Sequence, residues 1–165
     1  MSDFAQLVER ESRGLVAAVT VIVGDPHRAE EIVQDAFERC YRRWRRVSQL
    51  DKPGAWVRRV AINAAISSRR RSTSERRAVE RLGSRAEAAP FAADPQEVLD
   101  DAALWAEVRA LPGEQAAAIA LRYGADLSVE DVAATLEVSL PAAKSLLHRG
   151  RRALRTSAHL ETYAE

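Results

Sequence analysis

Apolar residues recur through this chain at steps of three and four, and no stretch shows the two-residue alternation of a half-buried strand. Steps of three and four return a side chain to the same side of an α-helix. The sequence therefore predicts an all-α protein. The first such stretch comprises Phe4, Leu7, Val8, Leu15, Val19 and Ile22.

Glycine and proline mark where the first helices end and begin. Gly24 ends the first helix, because glycine accepts the left-handed backbone found just past a helix. Asp25 and Pro26 begin the second, as an N-cap and a residue whose fixed φ suits the first turn. A third helix follows at about 53–70, and three helices with short connections predict a compact bundle. The apolar positions of the second helix are Ala29, Ile32, Val33, Ala36, Phe37, Cys40, Tyr41 and Trp44.

The composition changes after this bundle. Residues 67–74 are rich in Ser and Arg, and the following stretch is small, polar and interrupted by Pro90 and Pro95. We interpret residues 72–94 as a flexible linker between two domains, 1–71 and 95–165. In the second domain we expect a helix to Leu111 and another at about 114–123.

Residues 128–154 have the spacing of a helix-turn-helix. Ser128, with Asp131 three residues later, is typical of a capping box and opens a short helix to about Glu137. A tight turn at Val138 and Ser139 leads to a longer helix at about 140–157. The predicted architecture is an N-terminal helical bundle and a C-terminal helix-turn-helix bundle, joined by the linker.

The last helix is basic on its predicted outer side. A helix fits the major groove of DNA, where its first residues reach base edges and its cations neutralise phosphates. An ordinary helix pair with a solvated basic face is the alternative, but no acid lies between Lys144 and Arg155. The outward residues are Lys144, Ser145, His148, Arg149, Arg151, Arg152 and Arg155.

A second basic group surrounds Tyr41 and Trp44 in the first domain. Cations beside aromatic rings suit single-stranded nucleic acid, in which bases stack and phosphates pair with Arg. The helical spacing of the two rings with Phe37 and Cys40 favours packing instead, so we assign backbone binding to the arginines and mostly packing to the rings. These arginines are Arg39, Arg42, Arg43, Arg45 and Arg46, followed by Arg58, Arg59, Arg69, Arg70 and Arg71.

The sequence gives no support for catalysis. His27, His148 and His159 lack metal-ligand spacing, and there is no glycine-rich phosphate loop or nucleophile elbow. We therefore expect no enzyme activity, no metal and no cofactor. Cys40, the single cysteine, is expected to be a small core residue.

Two further features concern the compartment. The longest apolar stretch, residues 15–23, is too short to span a bilayer. The N-terminal residues lack the basic start of a secretory signal. We expect a cytoplasmic protein without membrane insertion.

With both halves in view, residues 3–71 and 97–156 resemble the extracytoplasmic-function group of bacterial sigma factors. Residues 25–37 (DPHRAEEIVQDAF) look like the family's helix that docks on RNA polymerase. Residues 55–63 (AWVRRVAIN) are similar to the segment that reads and melts the minus-ten promoter element. Matches to region four, which reads the minus-thirty-five element, are residues 110–115, 127–133 and 143–149.

This resemblance implies partners and site residues. The partners are core RNA polymerase, promoter DNA and an inhibitory anti-sigma factor, and the loop at about 47–54 would capture a flipped base. The implied polymerase contacts are Glu31, Gln34 and Asp35. The implied minus-ten contacts are Trp56, Arg58, Arg59, Asn63, Arg69 and Arg70. The implied minus-thirty-five contacts are Lys144, Ser145, His148, Arg149 and Arg152.

The chain departs from the family pattern in region four. Residues 141–143 are Pro-Ala-Ala where Gly-Thr-Val is usual, Leu146 stands where an Arg is common, and Glu137 stands where Gly is frequent in the turn. These changes remove polar groups from the early recognition helix. Recognition of the minus-thirty-five element is therefore expected to depend on phosphates, DNA shape or unusual bases.

Two other functions remain open from the sequence alone. A one-protein regulator that uses only the helix-turn-helix would bind a duplex operator tightly without polymerase, usually as a dimer. An all-helical adaptor without a nucleic-acid role would show no salt-dependent binding to DNA.

Overall fold

A computed structural model describes residues 3–81 and 102–156 of the chain, and all the regular structure within those ranges is helical. A π-helical turn, Ala120–Gly124, directly continues the sixth helix. The helices are α1 (Asp3–Val23), α2 (Pro26–Arg42), α3 (Trp44–Val47), α4 (Pro53–Arg81), α5 (Ala102–Ala110), α6 (Gly113–Ile119), α7 (Val129–Leu136) and α8 (Leu140–Arg155).

The predicted helix boundaries at residues 24–26 and 128 are confirmed. Gly24 has a φ of +75°, the left-handed conformation that only glycine adopts without strain. The Asp25 side chain accepts a hydrogen bond from the His27 backbone N–H at 3.0 Å, and Pro26 lies in the first turn of α2. The Ser128 hydroxyl accepts from the Asp131 N–H at 3.1 Å and so caps α7.

The N-terminal unit is built from α1, α2 and α4, which pack against one another in pairs. The predicted apolar stripe of α2 faces the core as far as Cys40, after which the helix ends at Arg42. Trp44 belongs to the short α3 and packs against the core from there. The expected three-helix bundle is thus present, with one additional turn of helix.

The helix α4 is longer than the sequence suggested. The predicted end near residue 70 is wrong, because α4 continues to Arg81 through a stretch assigned to the linker. Between Gly54 and Gly83 the chain has neither glycine nor proline, and its many arginines are good helix formers. The Ser-rich composition of residues 67–74 was not enough to end the helix. Residues 82–94 of the predicted linker, and the start of the helix expected from residue 95, lie outside the described ranges.

The C-terminal unit contains α5, α6 and the helix-turn-helix of α7 and α8. Val132 and Leu147 are fully buried between these helices, and Leu154 is nearly so. Glu137 occupies the turn with a φ of +52°, and the Val138 N–H then bonds to the Ala133 carbonyl at 3.1 Å. The left-handed turn residue explains why a glycine would suit position 137.

The two units are packed against each other, which the sequence did not predict. Their buried apolar residues form one continuous core, in which α1 meets the π-helical turn and α4 meets α7. The approach is close: a Cβ on Gly14 of α1 would lie 3.3 Å from the Ala125 carbonyl oxygen. The all-α architecture of two small helical units is confirmed, and their contact is an additional finding.

Candidate polymerase and DNA interface

Glu31, Gln34 and Asp35 lie exposed on one side of α2, three and four residues apart. The opposite side of the helix is buried, with Ile32 and Val33 in the core. The structure therefore brings the three implied polymerase contacts together on one polar surface. The Glu31 carboxylate also accepts a hydrogen bond from Arg28 at 3.0 Å.

An apolar groove of about 630 Å³ borders this surface, between α1 and α2. Gln34 lies on its edge, and Tyr41 at one end is 67% exposed. The expectation that Tyr41 is mostly packed is wrong: its ring touches Phe4 edge-on, with centroids 5.2 Å apart, and its remaining surface faces outward. The groove walls also include Val8, Val16, Val33, Phe37 and Arg42.

The outer side of α8 carries the implied minus-thirty-five contacts. Its inner side is fixed by Ala143, Leu147 and Leu154, which are buried at steps of four and seven residues. This register leaves the other face exposed over more than two turns. The exposed residues are Lys144, Ser145, His148, Arg149 and Arg152. Arg151, at the border, donates a hydrogen bond to the Tyr123 hydroxyl at 2.9 Å.

The implied minus-ten contacts on α4 are not equally accessible. Asn63 and Arg70 are exposed, whereas Trp56, Arg59 and Arg69 are partly buried. Arg58 is only 5% exposed. Since these residues lie on a single helix, their different exposure reflects what is packed against it.

Arg58 is held by both units. Its Nη1 atom donates to the two carboxylate oxygens of Glu11 at 2.9 and 2.8 Å, and its Nε donates to the Thr135 hydroxyl of α7 at 2.9 Å. Thr135 is fully buried. In this arrangement Arg58 cannot contact DNA, and its role in minus-ten binding stays a prediction.

Arg69 is likewise turned toward the C-terminal unit. Its Nη2 donates to the Leu111 carbonyl at 3.0 Å, while its Nη1 is buried without a hydrogen-bond partner. Burial lowers the pKa of Arg69, and the charge of the neighbouring Arg70 lowers it further. These contacts tie the middle of α4 to the end of α5.

Glu11 was not among the residues predicted from the sequence, although its spacing carries a signal. Glu11 lies four residues after Leu7 and four before Leu15, both of which are buried. A carboxylate on the buried side of a helix requires a cation or other donors. This spacing could have predicted a buried ion pair.

Cys40 is buried, as expected, and burial raises the pKa of its thiol to about 11. Among residues 3–81 and 102–156 there is no cluster of His, Cys, Asp and Glu that could hold a metal ion. Within the same ranges, none of the helices combines the length and apolar character that a membrane crossing requires.

Comparison with known families yields two matches that follow the two units. Residues 7–75 match the family described as Sigma-70 region 2. Residues 101–154 match the family described as Sigma-70, region 4. The two regions follow one another along the chain in the order predicted from the sequence.

Individual relatives agree with these matches. The RNA polymerase sigma-E factor of Streptomyces coelicolor is 29% identical over 153 residues, which cover 93% of this chain and 84% of that protein. The ECF RNA polymerase sigma factor SigE of Mycolicibacterium smegmatis is 30% identical and is matched over 94% of this chain and 61% of its own length.

A solved structure shares the fold over nearly the whole length. It is the sigma factor RpoE of Bartonella quintana, determined in complex with the anti-sigma factor NepR. The TM-score is 0.72 at 22% sequence identity, and the match covers 94% of this chain and 96% of that one.

Proposed function

Because this chain belongs to the extracytoplasmic-function group of the sigma-70 family, we propose that its two helical units divide promoter recognition between them. Members of the family are transcription initiation factors, so the chain binds core RNA polymerase and directs it to promoter DNA. What we propose is the assignment of these tasks to particular surfaces.

The polymerase surface is assigned to Glu31, Gln34 and Asp35 of α2. They form an exposed polar strip beside an apolar groove that contains the exposed ring of Tyr41. Exposed apolar patches rimmed by polar residues are typical of protein interfaces. Polar and apolar contacts are therefore both available to a partner on this side of the N-terminal unit.

Minus-ten recognition is assigned to α4, with Asn63 as the base contact. Its amide can donate and accept at a base edge. On the same helix, Trp56 would supply an aromatic ring. Phosphate contacts would come from the arginines Arg58, Arg59, Arg69 and Arg70. Opening the duplex costs a few kcal/mol for each unstacked step, which these contacts must offset.

Minus-thirty-five recognition is assigned to α8, and the single observation that carries this proposal is its exposed basic face. That face presents Lys144, His148, Arg149 and Arg152 without an acidic residue among them. Leu146, which replaces a common Arg, is partly buried and borders a cavity against α4. The early part of α8 thus offers few polar groups to bases, which favours readout through phosphates and shape.

In vitro transcription with core polymerase and a library of genomic fragments tests the proposal. We expect promoter-specific transcripts that depend on the added chain. Asn63→Ala should reduce promoter opening more than polymerase binding, whereas Ser74→Ala, on an exposed turn of the same helix, should change neither. Equal losses of opening and polymerase binding would contradict the role of Asn63.

Three further assignments complete the proposal. Nucleotide addition belongs to the polymerase, and we give this chain no catalytic residue and no cofactor. We assign its action to the cytoplasm, together with its polymerase and DNA partners. An anti-sigma partner is proposed because the chain shares the fold of a sigma factor that was solved with one.

A further inference from the structure

A cavity of about 290 Å³ lies between α4 and the helix-turn-helix, with the start of α6 at its border. Much of its lining is apolar. Ile62 is 1% exposed, and three partly buried side chains that pack against the core continue the apolar surface: Ile66, Leu136 and Leu146. An apolar group of a small molecule that enters this cavity therefore leaves water and contacts side chains of both units.

Polar side chains surround the apolar lining. Asn63, Ser67 and Arg70 follow one another along α4 at steps of four and three residues, and all three are exposed. Glu114 of α6 is exposed as well and lines the same cavity. An apolar lining with a few converging polar groups is the usual composition of a small-molecule site.

Two of these polar residues carry opposite charges that are not used by the chain. Among the residues that the structure describes, neither Arg70 nor Glu114 forms an ion pair, with each other or with a third residue. The other cation of the lining, Arg59, is already paired with Glu137 at 3.2 Å. The cavity thus offers one guanidinium and one carboxylate to a ligand.

Leu146 makes the apolar lining a property of this particular chain. An arginine, which is common at this position in the resembling family, would place a further cation in the cavity and occupy part of its volume with a longer side chain. With leucine, the surface next to Arg70 and Glu114 stays apolar. The charge pair and the apolar surface are therefore available to the same ligand.

We propose that this cavity binds a free α-amino acid with a large apolar side chain. The carboxylate of the amino acid pairs with Arg70, its ammonium group pairs with Glu114, and its side chain lies against Ile66 and Leu146. A simple carboxylate or a simple amine would pair with only one of the two charges, whereas a zwitterion pairs with both. The proposal concerns binding alone and does not rest on the promoter function, although Arg70 is also assigned a phosphate contact there.

Methyl NMR spectroscopy of the free full-length chain, titrated with l-leucine and separately with l-phenylalanine, tests the site. We expect saturable shifts of the methyl signals of Ile62, Ile66 and Leu146, with a dissociation constant of about 1 mM, which is modest for a ligand of this size. Val8 and Val16, which line the groove between α1 and α2, provide control signals that should not shift.

Analogues of leucine test its three groups one at a time. Leucinamide lacks the carboxylate and 4-methylpentanoate lacks the ammonium group, so each should bind roughly two- to fivefold more weakly, the effect of losing one exposed charge pair. Glycine keeps both charges without an apolar side chain. It should give no saturable shift, because each buried methylene group contributes about fourfold in affinity.

Variants of the chain test the same contacts from the protein side. Arg70→Gln and Glu114→Gln should each weaken leucine binding roughly two- to fivefold. Leu146→Arg should abolish it by filling the cavity, and circular dichroism shows whether this variant is folded. The matched controls are Arg71→Gln and Glu130→Gln, which replace exposed residues of α4 and α7 outside this cavity and should leave the affinity unchanged.

Three results would overturn the proposal. The first is the absence of saturable shifts with both amino acids. The second is 4-methylpentanoate or leucinamide binding as tightly as leucine, which would mean that the ligand is not a zwitterion. The third is unchanged leucine binding in both Arg70→Gln and Glu114→Gln. None of these measurements involves polymerase or DNA, so a failure of this site is distinguishable from a failure of the promoter function, which the transcription assay measures.

Discussion

Arg58 and Glu11 form an ion pair inside the N-terminal unit, with one guanidinium nitrogen donating to both carboxylate oxygens at 2.9 and 2.8 Å. The two side chains are 7% and 10% exposed. A Cβ on the adjacent Gly54 would lie 2.5 Å from the Glu11 Oε1 atom, so the pair depends on the absence of a side chain there. It joins α1 to α4 independently of the C-terminal unit.

Removing the acid from this pair should destabilise the protein strongly. Glu11→Ala leaves the Arg58 charge buried without its carboxylate, which costs about 3–5 kcal/mol of unfolding free energy. Urea unfolding followed by circular dichroism measures the loss. Replacing both residues, Glu11→Leu with Arg58→Met, should recover most of it, because no buried charge then remains.

A surface pair provides the control for that prediction. Glu31→Gln removes the partner of Arg28, whose side chain is 42% exposed, and should cost less than about 1 kcal/mol. Similar losses for Glu11→Ala and Glu31→Gln would show that the buried pair contributes no more than a surface one.

Gly150→Ala should destabilise the C-terminal unit although alanine favours helices. A Cβ at position 150 would lie 2.8 Å from Cγ1 of the buried Ile119, so α6 and α8 would have to move apart. Overpacking of this kind costs about 1–3 kcal/mol, against a gain of about 1 kcal/mol in helix propensity. Thermal unfolding of Gly150→Ala, Ile119→Ala and the double variant measures the coupling, and purely additive losses would exclude the clash.

The helices themselves were largely predictable, because their signals are local. Gly24, Asp25 and Ser128 each act within a few residues, and the structure confirms all three. The end of α4 was missed for a related reason. Serine and arginine suggested a linker, but only glycine or proline stops a helix decisively, and Gly83 is the first after Gly54.

The contact between units could not be read from the sequence. It depends on pairs far apart in the chain, such as Arg58 with Thr135 and Arg59 with Glu137. The sequence marks these arginines as available to DNA, and it gives no information on which surface covers them. The accessibility of a candidate contact such as Arg58 is a property of the folded arrangement.

Alkaline pH should destabilise the protein partly through Cys40. Burial raises the pKa of the thiol from 9.0 to about 11, so the folded state keeps the proton that the unfolded state loses. The stabilisation that comes from the protonated thiol is fully present below about pH 9 and is lost as the pH rises toward 11. The unfolding free energy should fall by roughly 2–3 kcal/mol over this range. The measurement is the unfolding free energy from pH 7 to 11.

Cys40→Ala isolates this contribution from other groups that titrate in the same range. Relative to its own value at pH 7, the variant should lose less stability than the wild type between pH 9 and 11. Parallel curves for the two proteins would contradict a buried, protonated thiol in the folded state.

Duplex binding by the exposed face of α8 should follow counterion release. The free chain presents Lys144, Arg149 and Arg152 to solvent even while the units are packed together, so weak non-specific binding to a duplex requires no opening. Each phosphate contact contributes about 0.9 to the slope of log K against log salt concentration. Arg149→Ala should therefore reduce the slope by about 0.9, as measured by fluorescence anisotropy over a salt series. Arg77→Ala, which removes an exposed charge from the far end of α4, should leave the slope unchanged; equal reductions in both variants would mean that net charge, and not the helix-turn-helix, binds the duplex.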